Sequence, residues 1–301
     1  MWRDALRARL AGLLLLAGCL KAHGVGHAPL VHLPERASVS ESDVPVLYVT
    51  DRAPLTAGDR AYGFDRGEVL RFGEAVVRLD RRAETSRVDE LGVFDDDAFA
   101  ATVRERLVQT DSRDVYLTVH GFASGFGRSL TDLAQIWHHL GRRGAAVAYS
   151  WPSGKGGFIQ NAYQYERESG EWTAPRLARV LRVLQEMPEV EGVHVVAHSR
   201  GSAILLEALR HVRLLQLSED GADAPVVDTL VLAAPDIDLD VFELRVLDEG
   251  LLDMADRTVL YVSERDTALA ASGWMHGGSR VGTTSAAELE RLVGAQLEVV
   301  D

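Results

Sequence analysis

The chain predicts an α/β fold built on one doubly wound, mostly parallel sheet with helices on both faces. Three observations point there. The apolar runs are short and β-branched, they alternate with helical patterns, and the candidate chemical groups fall just after the C-terminal ends of the strands. The residues from 44 to 301 suit one large domain, and no internal repeat or low-complexity stretch interrupts them.

Val44 to Thr50 reads as a first strand, followed by Asp51 and Arg52, and Val76 to Leu79 as a second. Ala98 to Leu107 has a helical pattern. Val115 to Val119 is a buried strand ending at His120-Gly121-Phe122. A helix over Leu130 to Leu140 leads to a strand, Ala145 to Tyr149, ending at Ser150-Trp151-Pro152. Pro175 to Leu184 sets Leu177, Val180, Leu181 and Leu184 on one helical face, with Thr173 as its expected cap. Gly154 to Trp172 before it reads as a long loop whose Phe158, Tyr163, Tyr165 and Trp172 either line an acyl pocket or lid or pin the loop to the sheet. Val193, Val195 and Val196 mark the next strand, and Ile204, Leu205, Ala208 and Leu209 the helix after it. Val226 to Ala233 ends at Ala234-Pro235-Asp236, and Val259 to Val262 at Ser263-Glu264-Arg265-Asp266. A helix over Ala286 to Val293 precedes a last strand, Leu297 to Val300.

Between the strand at Val193 and its helix stands Ala197-His198-Ser199-Arg200-Gly201. Strand, sharp turn and helix with a serine at the apex lift a hydroxyl clear of the backbone and aim the next N–H at a developing oxyanion. Small residues are needed two before and two after the serine, where helix and strand approach closely. Ala197 and Gly201 meet that need, as a variant of the G-x-S-x-G pattern. The second half of an anion pocket is expected from His120-Gly121-Phe122-Ala123-Ser124-Gly125. The N–H groups of Phe122 and Arg200 are then the donors, with His120 and Gly121 shaping the loop.

The acid is expected at Asp266, with Asp236 as the alternative. Asp236, Asp238 and Asp240 otherwise read as a solvated, helix-capping turn. A base should follow the acid in the chain. His211 lies about 18 Å along the helix from Ser199, and His198 points to the opposite side of its strand. That leaves His276, in a loop Trp274-Met275-His276-Gly277-Gly278, as either the base or a surface histidine.

The N-terminus carries Arg3, Arg7 and Arg9, then an apolar run from Leu10 to Gly18. That run is short of the ~20 residues needed to span a membrane and reads as an export signal. Leu16-Ala17-Gly18-Cys19 resembles a bacterial lipobox. The resemblance implies cleavage after residue 18 and a lipid on Cys19, the sole cysteine. With Leu20 following, the expected place is the periplasmic face of an outer membrane. Residues 19–43 then form a tether. His23, His27 and His32 within it are spaced too loosely for a metal site. Without residues 1–18 the chain holds 29 basic and 44 acidic residues, a net charge of −15. Such acidity argues against a nucleic-acid partner and against electrostatic docking on anionic lipid, so the anchor is expected to be covalent.

Leu47-Tyr48-Val49-Thr50-Asp51-Arg52, Val119-His120-Gly121-Phe122, Tyr149-Ser150-Trp151-Pro152-Ser153, the Ala197 to Gly201 block, Ala233-Ala234-Pro235-Asp236 and Ser263 to Leu269 together resemble an uncharacterised family of bacterial α/β-hydrolases. Its members are often exported or lipid-anchored, and the resemblance spans about residues 44–301. It implies the α/β-hydrolase fold but not the substrate. The site residues read as a serine hydrolase acting on a small carboxylic ester or thioester, with Ser199 attacking, a histidine as base, Asp266 orienting it, and no metal or organic cofactor needed. The resemblance also implies a catalytic histidine after the last strand, where this chain stops at Asp301. The alternatives are a missing C-terminal segment, His276 as the substitute, or a degenerate site. Beside hydrolysis stand acyl transfer and a non-catalytic envelope binding module that keeps the fold.

Overall fold

The computed structural model describes residues 42–301, apart from 56–61, 80–82, 157, 219–223, 277 and 294–296. The export signal, Cys19 and nearly all of the tether lie outside the described residues. Nine strands are described: β1 (Asp43–Pro54), β2 (Tyr62–Arg78), β3 (Glu84–Val93), β4 (Asp114–Val119), β5 (Ala145–Ser150), β6 (Gly192–His198), β7 (Val227–Ala233), β8 (Ala255–Tyr261) and β9 (Glu298–Val300). They form one sheet in the order β3-β2-β1-β5-β4-β6-β7-β8-β9. The β3-β2-β1 flank is antiparallel, and every other pairing is parallel. The longer helices are α1 (Asp96–Val108), α2 (Phe126–His139), α3 (Ile159–Glu186), α4 (Arg200–Ser218), α6 (Thr267–His276) and α7 (Ala286–Val293), with a single turn, α5 (Leu239–Phe242), after β7.

Strand alternation builds two cores from the same strands. Val46 and Tyr48 of β1, with Ala146 and Ala148 of β5, face a core shared with Phe126, Leu130, Leu133 and Trp137 of α2. Leu47 and Val49, with Ala145, Val147 and Tyr149, face the opposite core, shared with α1, α3 and α4. Burial on both faces is why β5 is a continuous apolar run rather than an alternating one. The doubly wound α/β expectation is therefore met.

The chain reverses its winding at β4. From β4 it crosses through α2 to β5 on one side. From β5 it returns through α3 to β6 on the other. Ligands of open α/β sheets bind at such a switch point, outside the carboxyl ends of the strands. The parallel register pairs Val119 with Ala197. His120-Gly121 and His198-Ser199 thus emerge side by side into that crevice.

Several segments differ from the sequence expectation. The second strand begins at Tyr62 rather than Val76, and the polar strand β3 was not expected. The long loop over Gly154 to Trp172 is helical from Ile159 onward, continuous with the segment expected to start at Pro175. Pro175 is tolerated because it and Glu171, whose carbonyl lacks its usual helical partner, lie on the exposed face. Thr173 is not a cap: its Oγ1 donates to Asp51 Oδ2 at 2.8 Å. Of the aromatics expected in a lid, Tyr163, Tyr165 and Trp172 sit on α3, and Phe158 precedes it, exposed. The segment 274–276, expected as loop, is the last turn of α6.

Candidate active site

Ser199 occupies the turn between β6 and α4 with φ of 50°, a left-handed conformation that a side chain other than glycine rarely adopts. Its backbone is held on both sides. The Ser199 N–H donates to Ala233 O at 2.8 Å, and its carbonyl accepts from Ser202 N at 3.0 Å and Asp236 N at 3.2 Å. Two glycines make room for the turn. A Cβ on Gly201 would lie 2.4 Å from Val119 O and 2.5 Å from His120 O. A Cβ on Gly121 would lie 2.8 Å from His198 Nδ1 and 3.1 Å from the Ser199 Cβ. The Ser199 side chain is half-buried, neither packed into the core nor fully in solvent.

The loop after β4 faces Ser199 across Gly121. Among the described residues, neither the Phe122 N–H nor the Arg200 N–H has a hydrogen-bond partner. The Arg200 amide directly follows Ser199, and the Phe122 amide directly follows Gly121, which abuts the Ser199 Cβ.

Beneath the loop lies a buried polar scaffold. Arg52, wholly buried at the end of β1, donates through Nε to Ser150 Oγ (2.9 Å), through one terminal nitrogen to Gly63 O (2.9 Å) and Ser153 O (2.8 Å), and through the other to Ser124 O (2.7 Å) and His120 Nε2 (3.2 Å). Burial pulls this guanidinium down to about 9, and the negative charges of Asp51 and Glu166 oppose the shift. His120 Nε2 also accepts from Trp151 N at 3.1 Å, so the ring proton sits on Nδ1 and is donated to Gly121 O at 3.0 Å. The indole of Trp151 stacks on the imidazole and donates to His120 O at 2.7 Å. Burial, then the Arg52 charge, holds His120 well below the usual histidine range. With both nitrogens engaged and the ring neutral, His120 shapes the loop.

Glu166 on α3 is the second member, with only 1% of its surface exposed. Its carboxylate accepts from Ala123 N (3.1 Å), Gly154 N (2.8 Å) and Ser153 Oγ (2.7 Å). Ser153 Oγ accepts in turn from Ser124 N at 3.2 Å. Ala123 is itself left-handed, with φ of 55°.

A third group roofs the crevice. The Tyr163 ring lies 5.6 Å from that of Phe122, and its hydroxyl accepts from Arg200 Nη1 at 3.2 Å and donates to Asp236 Oδ2 at 2.8 Å. Asp236 also accepts from Ser272 Oγ at 2.8 Å and lies 3.5 Å from Arg280 Nε. The expectation of a solvated Asp236 is therefore corrected: it is 3% exposed and its neighbours surround it. Asp238 does cap a helix, accepting from Asp240 N and Val241 N.

Asp266 follows β8, and its Oδ1 accepts from Leu269 N at 3.0 Å, which caps the start of α6. Its charge also reaches His198, which burial nonetheless holds below the ordinary histidine range. His276 ends the same helix, and its side chain lies outside what the structure describes. Asp266 and His276 therefore stand at the two ends of one helix, about 15 Å apart along its axis. Of the scaffold residues, Glu166 carried no sequence signal; Arg52 stood at the end of the Leu47 to Arg52 block and Tyr163 among the lid aromatics, and neither was assigned this structural role.

A mainly parallel sheet, wound both ways, with a left-handed serine turn between strand and helix at its switch point defines an α/β-hydrolase. The chain belongs to the family described as alpha/beta hydrolase of unknown function (DUF900), which matches residues 95–301. No curated protein matches it. Among solved structures it is similar to a crystal structure of ESTFA in an Fe-lacking apo form. That similarity stands at 10% identity over 82% of this chain and 75% of that one, with a TM-score of 0.31, and at that level it carries no argument.

Proposed function

We propose that this hydrolase is a serine enzyme cleaving carboxylic esters or thioesters through an acyl-enzyme. One observation carries the reading. Ser199 is held, half-exposed, on a left-handed turn, and the N–H groups of Arg200 beside it and Phe122 on the neighbouring loop have no partner among the described residues. Strain of this kind persists only where the surroundings impose it. In this reading Ser199 Oγ attacks the acyl carbon and loses its proton to a base. Phe122 and Arg200 N–H hold the oxyanion as the carbonyl bond opens. The alcohol or thiol leaves with that proton, and water releases the acid and regenerates the hydroxyl. His276 is the sequence's candidate for the base, with Asp266 as the acid that orients and charges it.

A fluorophosphonate probe tests this without a known substrate. Labelling of the full chain that disappears in Ser199→Ala supports the reading, and the absence of labelling in the unaltered chain overturns it. Loss of labelling in His276→Ala then assigns the base, and its persistence places the base elsewhere. The envelope anchor belongs to the same proposal. Mass spectrometry of the protein from a host with lipoprotein processing should find a diacylglyceryl group on Cys19, absent in Cys19→Ser.

A further inference from the structure

We infer that Glu166 is a positioning residue of this site: it sets the loop after β4 so that, of three successive amides, Phe122 N–H alone is left for the oxyanion. The inference rests on the serine-hydrolase reading above. Three N–H groups follow one another along the loop at Phe122, Ala123 and Ser124. The Ala123 N–H is taken by the Glu166 carboxylate and the Ser124 N–H by Ser153 Oγ, which itself donates to Glu166. The carboxylate thus fixes two of the three amides, one directly and one through the serine. It also takes Gly154 N–H, tying the loop after β5 to the loop after β4.

Such clamping is needed because Ala123 sits at φ 55°. A left-handed alanine relaxes to the right-handed or extended region when nothing holds it. Rotation of the peptide before it would carry the Phe122 carbonyl and the Ala123 N–H together, and re-aim the loop that Gly121 presses against Ser199. A buried carboxylate suits the clamp because it is acceptor-only: it offers no donor to compete with three incoming hydrogens. Arg52 balances its charge and, through Ser124 O and Ser153 O, grips the same two loops from the other side.

Glu166→Gln keeps the size and removes this property. Whichever way its amide turns, its NH2 group faces either the Ala123 N–H or the Gly154 N–H, and one of them is orphaned. The test compares a p-nitrophenyl acyl ester with its thiono analogue, in which C=S replaces C=O. Sulfur accepts hydrogen bonds poorly and sits on a longer bond, so the ratio of the two rates reads the oxyanion pocket rather than general integrity. In the full chain, Glu166→Gln is expected to lower kcat for the oxoester tenfold or more, with KM within about threefold, and to narrow the oxo/thiono ratio. Ser153→Ala, a milder cut into the same clamp, should move the ratio in the same direction by less. If kcat for both esters falls equally in both variants, or neither variant changes the ratio, the inference is overturned. If the unaltered chain turns over neither ester and takes no fluorophosphonate, the serine-hydrolase reading itself fails, and this inference with it.

Discussion

Arg52→Met would test how far the loop architecture depends on one buried cation. The guanidinium donates five hydrogen bonds, to Ser150 Oγ, Gly63 O, Ser153 O, Ser124 O and His120 Nε2. Methionine fills much of the volume and offers none of them. Each orphaned buried acceptor costs at least ~1 kcal/mol, and the Asp51 and Glu166 charges lose a positive neighbour. Against this stands the relief of not burying a guanidinium and the favourable burial of a thioether. Breaking one partner out of a buried charged arrangement leaves a net loss of about 4 kcal/mol, a large part of a typical domain's 5–15 kcal/mol. Arg52→Lys keeps the charge with fewer donors and should lose about half as much. Equilibrium urea unfolding followed by tryptophan fluorescence measures both, since Trp151 stacks on His120 beside the scaffold. A loss below about 1 kcal/mol for Arg52→Met, with unchanged cooperativity, would refute the claim that this network organises the loops.

Asp51 gives a pH-dependent counterpart. Burial raises its carboxyl from 3.8 to about 6, while Thr173 Oγ1 and the Arg176 charge oppose the shift. A carboxyl raised in the folded state binds its proton more tightly there, so its contribution to stability falls as pH rises from about 4 to about 6 and stays low above that. Asp51→Asn should therefore stabilise the protein at pH 7, by up to about 3 kcal/mol, with the difference vanishing near pH 4. Urea midpoints at the two pH values measure it, and equal differences at both would sink the assignment. Ser199→Gly should abolish fluorophosphonate labelling yet raise stability by about 1 kcal/mol, because glycine accepts φ of 50° without strain. A destabilised Ser199→Gly in thermal unfolding would show that the turn carries no strain.

The elbow was legible in the sequence because everything that defines it is local: a β-branched strand, a serine, a glycine two residues on and a helical run, all within about 15 residues. The core strands β4 to β8 were legible for the same reason, being apolar on both faces. What escaped was non-local or locally contradictory. Strand β3 reads Glu-Thr-Ser-Arg-Val-Asp-Glu-Leu-Gly-Val and is held by pairing with β2 rather than by its own pattern. Pro175 has the look of a helix start, and only the packing of α3 against α4 and the sheet carries the helix through it. Helix α6 is rich in small residues and has no amphipathic stripe, so Trp274-Met275-His276 ahead of Gly277-Gly278 suggested a loop. The Arg52 and Glu166 scaffold joins residues more than 100 positions apart in the chain, and no spacing rule predicts that a lone arginine and a lone glutamate share one interior.

The place of β1 bears on how the chain reaches this state. The first strand among the described residues is not at a rim: it lies between β2 and β5, and its Thr50 Oγ1 donates to Ser150 O at 2.6 Å, 100 residues downstream. Whenever Val44 to Val49 is paired with β2 alone, it presents an open apolar margin until Ala145 to Ser150 docks beside it. Such a margin is a template for intermolecular pairing, and long-range parallel pairing of this kind is slow. The arrival of β5 closes the margin and, in the same event, strips water from Arg52 against Ser150 and Ser153. The loops that flank Ser199 are thus assembled by the step that ends the folding chain's exposure to self-association.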